Sequence, residues 1–238
     1  MVHQKLIDRL RAIATLSQED VEHLSRMPSV AKTLEPEEYI IREGDVSTNC
    51  SLLLEGFLTR EKIVEARRQI LSYHVPGDIP DLHSLHLPDM DHDLRSVGPT
   101  KVAFIPHDWL RRALDASPRL THILWRETLI DAAIFREWVA NLGSREALGR
   151  VAHLICELEA RLAAVGLVED GTFVVPFTQQ SLADACGLST VHVNRTLQEL
   201  RNRGLIVWKG KTVTILQRDK LEEACDFQAD YLHLRKRI

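Results

Sequence analysis

The sequence predicts an α+β fold: an N-terminal antiparallel β-roll of jelly-roll-like form, a long central helix, and a C-terminal winged helix-turn-helix. Three observations carry this reading. Short apolar runs broken by turn residues recur roughly every ten positions through the first half of the chain. The apolar period then lengthens to three and four over residues 118–142. Residues 178–205 hold two capped helical stretches hinged on a glycine.

The β-roll is written as apolar segments at 38–41, 51–54, 57–64, 69–75, 94–97 and 101–105. The breaks carry Glu43-Gly44-Asp45, Glu55-Gly56, Pro76-Gly77-Asp78 and Gly98-Pro99. Glycine there permits a positive φ, and proline cannot donate to a sheet ladder. Strands so short and evenly spaced suit an antiparallel barrel or jelly roll. Two amphipathic helices, over 5–14 and 18–27, precede it.

The run from Pro118 to Leu142 contains no glycine, and its only proline opens it. It reads as a helix of about six to seven turns. Its apolar face is wider than one barrel needs. A helix apolar on two sides buries one against its own domain and the other against a second copy. Leu120, Ile123, Leu124, Ile130, Ile134 and Trp138 are therefore assigned to a homodimer interface. Asn141-Leu142-Gly143-Ser144 reads as the break, with Gly143 at C′ and Ser144 capping a next helix over 145–164. The expected division is 1–117, a dimerisation helix over 118–142, and 143–238.

Net charge is −4, from 30 Lys and Arg against 34 Asp and Glu, so the chain is not basic overall. Residues 176–220 run the other way, with seven positive and three negative side chains. A basic segment in an acidic chain suits a local phosphate-binding face. No apolar run is long enough to cross a membrane, and the first residues lack a secretory core. Cys50, Cys156, Cys186 and Cys225 have neither zinc nor redox spacing. A cytoplasmic protein with no membrane contact, no metal and no cofactor is expected. Nucleophile-elbow, Walker A, dinucleotide-fold and zincin motifs are missing, which argues against an enzyme.

The informative segment is 178–205. Thr178 caps a short helix, Gly187 supplies the positive φ of the turn, and Ser189 caps a second helix that runs to Arg203 before Gly204. Leu182, Cys186, Leu188, Val193, Leu197 and Leu200 make the inner stripe. Thr190, Val191, His192, Asn194, Arg195 and Gln198 are left for the outer face. Those types reach base edges and phosphates. Arg195 is assigned the main base contact, since a guanidinium bonds guanine O6 and N7 together. Asn194, Thr190 and Val191 are further base contacts. Ser189, His192, Gln179 and Gln180 are assigned to phosphate, with free helix-start amides beside them. Strands at 205–208 and 212–216 form a wing whose tip, Lys209-Gly210-Lys211, places Lys209 and Lys211 on flanking phosphates.

With these segments in place, the sequence resembles the Crp/Fnr family of bacterial regulators along nearly its whole length. Residues 38–45 (Glu38-Tyr39-Ile40-Ile41-Arg42-Glu43-Gly44-Asp45) look like the family's early barrel turn. Leu52-Leu53-Leu54-Glu55-Gly56 looks like its next strand, and Pro76-Gly77-Asp78 resembles the turn into its effector pocket. Residues 178–206 are similar to its helix-turn-helix, with Ser189 and Arg195 at the two most characteristic positions. The resemblance implies a β-roll sensor, cyclic-nucleotide-binding-like, over 1–117 and a winged DNA-binding domain over 143–238. It also implies a homodimeric transcription regulator on a near-palindromic double-stranded DNA operator. An activator would contact RNA polymerase, and the sensor would take a small-molecule effector.

Three departures qualify it. Members that bind cyclic nucleotides carry Gly-Glu after the Pro-Gly-Asp turn and later an Arg-Ser/Thr-Ala. Here Asp81-Leu82 stands in the first place, and Arg95-Ser96 is the only arginine candidate for the second. Iron–sulfur members carry N-terminal cysteines, whereas the first cysteine here is Cys50. Val191 stands where many members have glutamate, so the familiar operator half-sites do not carry over from the resemblance. Asp81, His83, His86, Asp89, Asp91, His92 and Asp93 crowd one stretch, which is expected to be a solvated loop on the barrel. The alternatives are a metal-dependent cupin-like enzyme or metal-binding module using that stretch, and a cyclic-nucleotide-gated regulator.

Overall fold

The computed structural model describes residues 2–87 and 89–235. Helices α1 (Gln4–Ile13) and α2 (Gln18–Ser25) open the chain, and Ser17 starts α2 with a capping box closed by Asp20. Five strands follow: β1 (Val30–Leu34), β2 (Tyr39–Ile41), β3 (Asn49–Val64), β4 (Arg67–His74) and β5 (Asp93–Pro106). All pair antiparallel in the order β1-β5-β3-β4, with β2 also on β5.

The expected segments 51–54 and 57–64 are one strand, and so are 94–97 and 101–105. Gly56 and Gly98 sit at bends inside strands instead of at turns. The β3–β5 register shifts around Glu55, and a Cβ on Gly56 would lie 2.6 Å from the Pro99 carbonyl oxygen. Sequence reasoning missed β1 and also α3 (His107–Ala116), which joins the roll to the long helix.

The long helix α4 spans Pro118–Ser144, with Ser117 as N-cap and Pro118 in its first turn. It does not end at Leu142. Gly143 and Ser144 belong to it, and the break falls at Arg145 and Glu146, ahead of α5 (Ala147–Ala164). Gly143 does not take the positive φ of a C′ glycine, so the helix runs on through it.

The dimer assignment is also corrected. Leu120, Ile123, Leu124, Ile130, Ile134 and Trp138 are all buried inside the protomer, in the same core as the roll and α5. They are the stronger apolar face, and that face packs on the chain's own barrel. The other face carries Trp125, Leu129, Phe135 and Val139, each 41–60 % exposed.

The second half adds β6 (Thr172–Val174), α6 (Gln179–Cys186), α7 (Thr190–Asn202), β7 (Ile206–Lys209), β8 (Thr212–Ile215) and α8 (Arg218–Cys225). Tyr73 on β4 joins the halves: its ring stacks on Phe177 at 4.0 Å, and its hydroxyl donates to the Ser181 carbonyl at 2.9 Å. Beneath lies a buried charge hub. Asp78 accepts from Arg161 at 2.7 Å and stands 3.6 Å from Arg9, which in turn donates to Glu127 on α4 at 3.1 Å.

Candidate nucleic-acid interface

Local chemistry sets the helix pair. Thr178 Oγ1 accepts the Ser181 amide, and Ser181 Oγ accepts the Thr178 amide. Gly187 closes α6 at φ +61°, and the Leu142 side chain stands 3.2 Å from where its Cβ would be. Ser189 Oγ then accepts the His192 amide at the start of α7. The inner side of α7 is buried through Val193, Thr196, Leu197 and Leu200.

The outer side is open. Val191, His192, Asn194, Arg195 and Gln198 are exposed and Thr190 is half-buried. Val191 is 58 % exposed, an apolar tip on an otherwise polar face, which suits contact with a thymine methyl. Arg203 is tied to Glu199, and Arg218 to Glu159 and Glu222. Among the described residues, Arg195, Arg201, Lys209 and Lys211 have no such partner and point outward. Arg201, one of the seven basic residues of 176–220, lies seven positions after Asn194, on the same helical stripe as Gln198.

The Gln180 amide donates to Asp184 Oδ1 at 2.7 Å while its residue stays exposed, and Asp184 Oδ2 is held by Arg68 of the roll. The Ser189 hydroxyl accepts the His192 amide at the cap and keeps its own proton to donate, beside the Thr190 and Val191 amides at the helix start. Gln179 and His192 remain exposed. The wing forms as expected: β7 pairs with β8 from Ile206↔Ile215 to Lys209↔Thr212, turning through Gly210 at φ +58°.

A cavity of about 470 Å³ lies between the roll and α4. Arg9, Arg60, Asp78, Glu127, Asp131 and Arg161 line it, with His74, His83, Asp91 and His92. The histidine–carboxylate stretch is therefore a solvated loop only in part, through the exposed His86, Asp89 and Asp91. Asp81, His92 and Asp93 are buried, and Asp81 accepts the Ser51 amide at 2.7 Å. Burial, then the charge of Arg60, holds His83 low and takes His92 down to about 4, so both imidazoles are neutral. Arg95 is not in the cavity: its guanidinium is held by Glu61 at 3.0 Å and by Glu37.

Comparison with known proteins agrees with this architecture. A cyclic nucleotide-binding domain model matches residues 31–117, and a Crp-like helix-turn-helix domain model matches 149–224. The transcriptional activator protein Anr of Pseudomonas aeruginosa is 24 % identical over 203 residues, covering 85 % of this chain and 83 % of Anr. The nitrogen fixation regulation protein FixK of Bradyrhizobium diazoefficiens is 25 % identical over 204 residues, covering 85 % and 83 %. The solved structure of FixK2 from Bradyrhizobium japonicum superposes with a TM-score of 0.76 at 22 % identity, over 83 % of this chain and 98 % of that one. No described helix is long and apolar enough to cross a membrane. With the roll, the long helix and the winged helix pair each in their places, the chain belongs to the Crp/Fnr family of DNA-binding transcription regulators.

Proposed function

We propose that the protein works as a cytoplasmic homodimer that lays the outer face of α7 in the major groove of each half of a near-palindromic operator. The carrying observation is that Thr190, Val191, Asn194 and Arg195 point away from the core and that Arg195 has no ion-pair partner among the described residues. In this reading Arg195 reads guanine, Asn194 and Thr190 bond neighbouring edges, and Val191 meets a methyl group. Gln179, His192, Arg201, Lys209 and Lys211 hold phosphate.

The dimer seam in this reading is the outer face of α4. His122, Trp125, Leu129, Ala132, Arg136, Val139 and Gly143 are all exposed and follow the alternating three- and four-residue spacing of a coiled coil. The domains would run as 1–117, the long helix, and the winged domain to 238. The role is one of binding, without catalysis. The cavity gives the roll room for an effector, and Arg95 held by two glutamates speaks against a cyclic phosphodiester in it.

Anisotropy titrations on a selected operator and a scrambled duplex, repeated across salt concentrations, test the assignment. Arg195→Ala should lose about 1–3 kcal/mol of preference for the operator. Lys209→Ala or Lys211→Ala should weaken both duplexes alike and flatten the salt slope by about 0.9. Specificity that survives Arg195→Ala would refute the role given to it.

A further inference from the structure

Three side chains at the edge of the cavity lie outside the DNA-binding account. His83, on the 3-10 turn Leu82–Leu85, and Asp91 and His92, just before β5, each offer one ligand atom, and the three atoms lie within 4.8 Å of one another. The two imidazole rings are 5.2 Å apart between centroids. His92 is buried, His83 half-buried, and Asp91 reaches solvent. His83 Nε2 is buried and has no hydrogen-bond partner among the described residues, an arrangement that costs stability unless something pairs with it. Two imidazoles and a carboxylate converging beside a cavity match the ligand preference of divalent zinc, iron, cobalt or manganese.

We propose that His83, Asp91 and His92 bind one divalent transition-metal ion per protomer, and that the ion competes with Arg60 for His92. Arg60 Nε now donates to His92 Nε2 at 3.2 Å, and its Nη2 lies 3.0 Å from Asp131 on α4 and also donates to the Pro80 carbonyl. His92 Nδ1 is 2.6 Å from Asp91 Oδ1. A neutral imidazole has one lone pair. If Nε2 takes the ion, that pair is spent. If Nδ1 takes it, the ring proton moves to Nε2. In either case Nε2 can no longer accept from Arg60, and the ion's charge repels the guanidinium as well. Arg60 is then left with Asp131 and Pro80. Asp131 neighbours Ala132, which is exposed on the outer face of α4, so occupancy of the site is felt at that helix. The inference does not depend on the operator reading.

The test uses untagged full-length protein freed of metal by a chelator and titrated with Co²⁺, then with Zn²⁺ as competitor. Visible cobalt bands should saturate at one ion per chain and be displaced by zinc. His83→Ala and Asp91→Asn should each weaken binding by more than about tenfold. Asp91→Asn changes an exposed carboxylate, so its fold can be checked by circular dichroism, and His23→Ala, at an exposed histidine elsewhere, should change nothing. Arg60→Met should tighten binding by removing the competitor. Absence of saturable binding, or binding undiminished in both His83→Ala and Asp91→Asn, overturns the site. Weaker or equal binding in Arg60→Met overturns the competition.

Discussion

A buried carboxylate among buried cations holds the two halves of this protein together. Burial alone would raise the titration of Asp78, but Arg161, with His74 and Arg9, outweighs it and holds the group below the ordinary carboxylate range. Asp78→Ala strands Arg161 and Arg9 in the core and should cost about 3–5 kcal/mol in a denaturant titration. Acid should then act in two stages. His74 is buried, and burial lowers it, so it stays neutral in the fold while an unfolded imidazole takes a proton near pH 6.5. Stability from His74 is whole above about pH 6.5 and drains as pH falls below it; that from Asp78 is whole above about pH 4 and drains below. A urea midpoint that stayed flat from pH 7 to 5 would contradict the first stage. At this scale the sequence reveals chemistry only where the role is local. Ser189 and Gly187 announce themselves because a cap or a positive φ is a property of the residue and its nearest neighbours. Asp81 and His92 do not: their burial comes from Ser51 and Arg60, 30 and 32 positions away.

Among the elements, α7 depends on its cap. Ser189→Ala removes the acceptor for the His192 amide and should cost about 1 kcal/mol, with a matching loss of operator affinity as the first turn frays. Affinity unchanged at full helicity would place the contacts further along α7. The winged pair was legible because each boundary carries its own signal: Thr178, Gly187, Ser189 and Gly204. The strands were less so. Gly56 and Gly98 have the same positive φ that a turn needs, and only the partner strand distinguishes a bend from an end. The long helix illustrates a further limit. Apolar character identified α4 correctly, but the more apolar side turned out to face the chain's own barrel. The seam proposed on the other side rests on spacing instead, since Trp125, Leu129, Ala132 and Val139 keep the 3.5-residue period of a coiled coil. Leu129→Glu, which places a charge in that seam without touching the core, should shift sedimentation from dimer to monomer and leave thermal unfolding of the protomer little changed. A dimer that persists in Leu129→Glu would put the interface elsewhere.

For the whole molecule, a net charge of −4 coexists with a face where Arg195, Arg201, Lys209 and Lys211 stand outward. Such an asymmetric distribution orients the protein on a polyanion by one end and keeps the roll away from it. In the proposed dimer along α4, two such faces would be related by a two-fold axis, which would require an operator with inverted half-sites about one helical turn apart. Selection of bound duplexes from a randomised pool by wild-type protein, with Arg195→Ala run in parallel, measures this directly. The account predicts an enriched inverted repeat with half-site centres about 10–10.5 base pairs apart or a multiple of that, containing a guanine whose enrichment vanishes in Arg195→Ala. No enriched sequence, or an enriched repeat that is identical for Arg195→Ala, would contradict it.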